Sequence, residues 1–396
     1  MIMVYEISPV NAIAADIINS ENNSIQAEYD DNVSIYFGSH SLDAGRAGTV
    51  SVNDYTLKAT VDFVTLGING NISPVSIIMK YNSAEYRFMS EICNSTATSY
   101  GYGWLTNYNI SLHEINIEDE SYLAYLTGNG SVILFKQTEI TNSGAIKWTA
   151  VSEYYDMYVY EYTDSYELFN DTLIYSFDAP GRCTKILNTH GNTSIDIEYG
   201  TVFEAISKIT DGVGNEYRFT YTDGKLSKIK CYASDGSEII AGDNTSAAAL
   251  EMNFAYEGAG LTDVTFPDGK SISYEYNILG NLDTVKNIDG YKVELDYSVD
   301  KVSQIAEYAL DESNTYIAGN YVNISHSGNT RTFEDSNGDT QIKTYDDNGN
   351  ILTIVDGDGN YLYGEPEEDE ESPEINPEEE SSEIYEEENS ESSLCP

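Results

Sequence analysis

The second half of the chain repeats a cycle: an aromatic residue ends an alternating run, a turn carrying Gly follows, and an apolar strand resumes. The clearest copy runs from Tyr345 through Asp346, Gly349 and Asn350 to Ile351 and Ile354, then closes on Asp356 and Gly359 before Tyr361. A second copy reads Ile272, Tyr274 and Tyr276, then Gly280, Asn281, Leu282 and Val285, and turns at Asp289 and Gly290. Looser copies surround Phe177-Asp178 and Gly181, and Tyr221 with Asp223-Gly224, Leu226 and Ile229. A unit of roughly twenty residues cannot bury a face alone, so such units gain stability by stacking on their neighbours. The cycle therefore predicts a stacked β-repeat protein rather than an enzyme built around one compact pocket.

The side-chain period agrees. Tyr291, Val293, Leu295 and Tyr297 are separated by Lys292, Glu294 and Asp296, the period of a strand with one buried and one wet face. Asn-Gly and Asp-Gly pairs supply the positive φ that tight hairpins demand. Residues 231–250 and 299–330 break the cycle and read as insertions or degenerate copies. Only Ser246 to Met252 favours a helix. Tyr276, Gly280, Asn281, Asp289, Gly290, Tyr297, Tyr345, Asp346, Gly349, Asn350, Asp356 and Gly359 are assigned structural roles in the repeat.

Composition shifts divide the chain. Residues 1–44 are polar, rich in Asn, Asp and Ser, and read as an arm. Residues 45–170 alternate short apolar runs with turn clusters, as an antiparallel β domain does. The repeats occupy 171–364. Residues 365–396 combine acidic runs with Pro366, Pro373 and Pro377; such a segment buries too little apolar area to offset its ordering entropy and is expected to be a disordered, removable spacer. The fold class expected is all-β, an antiparallel β domain running into the repeat sheet.

The cycle resembles the YD repeat of the Rhs family. Val75 to Ser83, ending Tyr-Asn-Ser, is similar to a segment of that family's N-terminal β domain. Gly101-Tyr102-Gly103-Trp104 is similar to its Gly-x-Gly-Trp segment, and Thr127 to Phe135 to its strand-turn-strand. Together the matches cover roughly residues 45 to 363. The resemblance implies a β-rich spiral or shell wall, carbohydrate or a cell surface as ligand, and continuity with a larger parent polypeptide. The family's Asp-Pro-x-Gly self-cleavage element and a toxic cargo are not found in the sequence, so a wall without payload is expected.

Charge narrows the partners. Of 396 residues, 67 are Asp or Glu and 19 Lys or Arg, a formal net charge of −48. The segment Glu365 to Glu391 holds 15 of the acids, which leaves the remainder strongly negative as well. Such a surface repels phosphate backbones and anionic lipids, so no nucleic acid is expected as partner. No run reaches the length of a membrane-spanning helix, and no membrane insertion is expected. Val10 to Ala14 ends in a small-x-small pattern, but no Lys or Arg precedes Arg46; the start reads either as an ordinary arm or as the remnant of a secretory signal. Cys93, Cys183, Cys231 and Cys395 lie far apart, which argues against zinc and defines no disulfide framework.

Catalytic constellations are not found. His113-Glu114 begins like a metalloprotease helix, but Ile117 stands where the second His is needed. His40, His190 and His326 are isolated in turn-rich sequence and expected at the surface. There is no G-x-S-x-G elbow and no phosphate loop, and Gly101-Tyr102-Gly103 lacks the third Gly of a dinucleotide site. Asp335 to Asp339 and Asp356 to Asn360 concentrate oxygen ligands as calcium loops do, yet Asp, Asn and Gly are also what hairpin turns require, and that reading is preferred. Trp104 and the 34 tyrosines suit either sugar stacking or sheet packing, with packing preferred. No catalytic, cofactor or metal residue is assigned. The expected function is a non-enzymatic scaffold of a secreted or cell-surface bacterial protein; the alternative is a glycan-active hydrolase using two carboxylates.

Overall fold

The structure, a computed structural model, describes residues 39–68, 72–83, 97–117, 120–128, 132–152, 155–201, 205–241, 248–346 and 349–364. The arm over residues 1–38, the acidic segment 365–396, Cys93 and Cys395 lie outside the described residues. The described chain is almost entirely antiparallel β-sheet. Its α-helix is a single turn, Ala97–Tyr100.

Two sheets carry the architecture. The first has five strands in sequence order: Ser39–Asp43, Thr49–Asn53, Ala59–Gly67, Ser76–Asn82 and Trp104–Thr106. Ser39 to Ala44 therefore belongs to this sheet and not to the arm, and Ala44 is fully buried. The second is a 23-strand sheet from Ser111–Ile117 to Tyr361–Tyr363. Its early strands curl into a ring, because Ser111 pairs with Arg182, Leu112 N–H donates to Gly181 O and Cys183 N–H donates to Ile110 O. Hairpins continue from there to Tyr363. The boundary drawn at 170/171 falls on the short turn between Ser165–Asn170 and Leu173–Asp178, two paired strands of this sheet. The ring strands and the repeat strands are one meander, so the period changes without a break in pairing.

The repeat has a physical anatomy. Tyr221 faces Leu226 while Thr220 faces Lys228, which leaves Ser227 as an extra residue, a β-bulge. The same offset leaves Thr262 opposite Ala255/Tyr256, Asp283 opposite Glu275/Tyr276 and Ser303 opposite Asp296/Tyr297. Where the extra residue carries a hydroxyl it can serve the strand opposite: Ser227 Oγ donates to Thr220 O at 3.0 Å, Thr262 Oγ1 to Ala255 O at 3.2 Å and Ser207 Oγ to Glu198 O at 3.1 Å. The bulge returns residues three apart to one face. Leu226 and Ile229, Leu261 and Val264, Leu282 and Val285, and Val302 and Ile305 are all buried, although simple alternation would split each pair.

Two corrections follow from the same pairing. Residues 301–310 and 316–327 form full strands of the long sheet, with an ordinary hairpin turn at Asp311 to Thr315, so of the two readings 299–330 is a degenerate copy and not an insertion. The hairpin that follows, Tyr316–Ser327 with Thr330–Asp335, pairs without the bulge, which is why the cycle is hard to see there. The helix-favouring stretch is strand over its described part, Ala248–Ala249 and Glu251–Glu257. The short pair Ile240–Ala241 with Ala248–Ala249 leaves the main sheet, and Lys225–Tyr232 pairs directly with Glu251–Glu257 across that excursion.

The first sheet lies across the repeats. Tyr217 Oη donates to Val75 O, Tyr274 Oη to Ala47 O, Leu282 N–H to Tyr81 Oη, and Val302 N–H to Leu57 O. Trp104 sits between them, 4.8 Å from Tyr274 and 5.5 Å from Tyr81 between ring centres. One hydrophobic core runs through both sheets. At the far end Asp54, 1% exposed, meets Lys343 and His40, whose ring stacks on Phe333 at 4.5 Å.

Candidate functional site

The repeat residues resolve into a ladder. Tyr199, Tyr221, Tyr276 and Tyr297 each donate their hydroxyl to a backbone carbonyl of the preceding hairpin: Cys183 O at 2.9 Å, Ile206 O at 2.8 Å, Leu261 O at 3.0 Å and Leu282 O at 2.8 Å. Tyr276 Oη also accepts from Trp104 Nε1 at 2.7 Å. Tyr345 is buried against Tyr55 and Arg331. The hydroxyl of Tyr256, which stands at the same rung, is buried and has no partner among the described residues.

The turn residues are equally committed. Asn277 N–H donates to Asn281 O, Gly280 N–H to Asn277 O and Asn281 N–H to Asn277 Oδ1, with Gly280 at φ 85°. That is a type I turn closed by a residue in the left-handed region. Asp289 and Gly290 lie in the same turn between Asn287 and Tyr291, Asp346, Gly349 and Asn350 in another, and Asp356 and Gly359 in a third. Asp356 Oδ1 accepts from Asn360 N–H and Asp358 N–H while Oδ2 accepts from Asn360 Nδ2. Asp335 Oδ1 likewise accepts from Asn337 and Asp339. These bonds hold both carboxyls below the usual range, so their oxygens serve the turn. Among the described residues no three potential metal ligands converge.

The remaining titratable groups are dispersed. His113 lies on a strand, bonded to Ser111 Oγ at 2.8 Å, and burial pulls its imidazole down to about 4. Glu114 accepts from Tyr166 Oη. His190 and His326 are exposed, but His40 is half-buried, because the carboxylate of Asp54 and the ring of Phe333 hold it. Cys183 and Cys231 are free and buried, and burial pushes both thiols up to about 12.

One cavity, of about 880 Å³, lies between the ring and the first sheet. Tyr125 reaches it from strand Glu120–Leu126, Tyr155 and Asp156 from the entry to Met157–Tyr162, Asn170 and Asp171 from the hairpin that follows, and Tyr175 from Leu173–Asp178. Tyr125 and Tyr175 stand 6.3 Å apart between ring centres. Burial raises both phenols, the neighbouring tyrosine adding to the effect at Tyr125, so they remain neutral hydrogen-bonding groups. Asp156 and Asp171 are exposed, which places the mouth beside them. Tyr108 and Asn107 line the wall with their polar atoms already bonded around Ser76. None of these residues was singled out by sequence as a site, because they come from separate strands and share no local motif.

No family model matches the chain, and neither does any curated protein. The crystal structure of TcdB2-TccC3-TEV shares 12% identity with a TM-score of 0.24, covering 84% of this chain and 21% of its own. A porin-like protein from Bacteroides uniformis ATCC 8492 shares 9% identity with a TM-score of 0.20, over 62% of this chain and 91% of its own. The chain spans about a fifth of the first of these. At such scores the all-β class rests on the strands themselves.

Proposed function

We propose that the chain is a non-enzymatic Rhs-like scaffold of a secreted or cell-surface bacterial protein, continuous with a larger polypeptide and carrying carbohydrate or a cell surface as its ligand. The observation that supports this most is the use of the repeat's own chemistry: ladder hydroxyls serve carbonyls, and turn carboxylates serve backbone N–H groups. Side chains used in this way serve the frame of the repeat. The sequence resemblance supports the secreted or surface setting, and the net charge of −48 argues against nucleic acid and anionic lipid as partners.

The hydrolase reading retains one supporting observation, two carboxylates (Asp156 and Asp171) at one cavity. Incubation of the full chain with neutral and acidic glycans, followed by mass spectrometry, separates the two. The scaffold reading expects every glycan back intact. Cleavage that Asp156→Asn or Asp171→Asn abolishes would make the chain a hydrolase. Protease shaving of intact producing cells tests the location, with loss of the protein from the cell fraction expected.

A further inference from the structure

We infer that the cavity between the ring and the first sheet is a binding site for an uncharged oligosaccharide, an assignment that rests on the carbohydrate-binding reading and gives it a place and a ligand class. The volume, about 880 Å³, lies in the range of small-ligand pockets. Its polar groups are waiting for a partner. Tyr125 is 4% exposed, lines the cavity, and has no hydrogen-bond partner for its hydroxyl among the described residues. A phenol that lines the cavity and is not engaged by the described residues keeps its donor and acceptor capacity for a ligand hydroxyl. Asp156, Asn170 and Asp171 also carry side chains without a partner among the described residues. Carboxylate and amide oxygens at a cavity mouth accept from sugar hydroxyls, and charge assistance strengthens the carboxylate bonds.

The aromatic groups select the same chemistry. Tyr155 and Tyr175 are half-buried, which leaves ring surface available, and the negative face of an aromatic ring favours the polarised C–H groups of a sugar ring. A purely apolar ligand would make no use of the phenols and carboxylates that line the cavity. Charge removes a further class. Lys80, the sole cation among the described lining residues, is paired with Asp62 at 2.7 Å. The mouth then presents only the negative Asp156 and Asp171, which repel uronic, sulfated and phosphorylated sugars.

Titration calorimetry of the full chain with hexaoses of glucose (α- and β-linked), mannose, xylose and N-acetylglucosamine, and with oligogalacturonate, tests the assignment. At least one neutral hexaose is expected to bind, with oligogalacturonate at least tenfold weaker. Tyr175→Ala and the exposed-site double change Asp156→Asn with Asp171→Asn are each expected to weaken binding about tenfold or more, while Tyr361→Ala, on the last strand, leaves it unchanged. The Asp pair keeps its shape and lies at the surface, so loss of fold does not mimic loss of site. Neutral binding that survives both sets of changes overturns the cavity assignment and leaves carbohydrate binding standing elsewhere. Absence of binding by every sugar overturns both, and oligogalacturonate bound as tightly as a neutral hexaose overturns the ligand class.

Discussion

At the scale of single residues, burial decides behaviour more than residue type. His113 lies half-buried on its strand, and burial pulls its imidazole down to about 4 from an ordinary value of 6.5. Between those values the unfolded chain binds a proton that the folded chain does not. Stability from this group is therefore complete above the ordinary value and falls as pH drops through the window. One pKa unit is worth about 1.4 kcal/mol, so lowering the pH from 6.5 to about 5 should cost roughly 2 kcal/mol at this position. Urea unfolding of the protein and of His113→Gln across that range checks it. The difference between the two curves should shrink the stability gap on acidification by about that amount; parallel pH profiles would show that the imidazole stays accessible. His40 illustrates why sequence placed a histidine wrongly. Nothing beside it in the chain signals that Asp54 and Phe333, distant in sequence, close over it.

At the scale of the element, the repeat is a hairpin whose tyrosine bonds backward to the hairpin before it. Tyr297 donates to Leu282 O, whereas Tyr256 keeps a buried hydroxyl without a partner among the described residues. Removing a made hydrogen bond costs about 1 kcal/mol, and leaves a carbonyl unserved; removing an unmade one relieves a desolvated group. Tyr297→Phe is therefore expected to destabilise by about 1 kcal/mol and Tyr256→Phe to be neutral or stabilising, both read from urea midpoints at unchanged slope. Equal losses at the two positions would contradict the ladder. The Asx-Gly turns are legible because each acts within a few residues of itself, and the tyrosines because they recur with the turns, although their bonds reach back to the preceding hairpin. The bulge was visible in outline, as apolar pairs three apart such as Leu282 and Val285, but alternation alone gives no reason for that spacing. Pairing supplies it, since one extra residue resets the face. The hairpin Tyr316–Ser327 with Thr330–Asp335 hides the cycle in the sequence because it keeps the strands and drops the bulge.

At the scale of the whole molecule, the first sheet and the repeats form one folded body. Tyr81, Leu57 and Tyr55 reach the repeats at Leu282, Val302 and Arg331, more than two hundred residues on. No local pattern encodes contacts of that span, and for the same reason the cavity, lined from Ser73 to Ile195, was not legible. The chain's two tryptophans report the two parts separately. Trp104 is in the first sheet and donates to Tyr276 of the repeats, while Trp148 lies in the ring and donates to Glu161. Equilibrium urea unfolding followed by fluorescence in Trp148→Phe and in Trp104→Phe, each normalised to its own far-ultraviolet dichroism, tests the single body most directly. Coincident fluorescence and dichroism transitions in both variants are predicted, because the first sheet cannot leave the repeats without exposing the core they share. A Trp104 transition that runs ahead of the dichroism, with the repeats still folded, would contradict it.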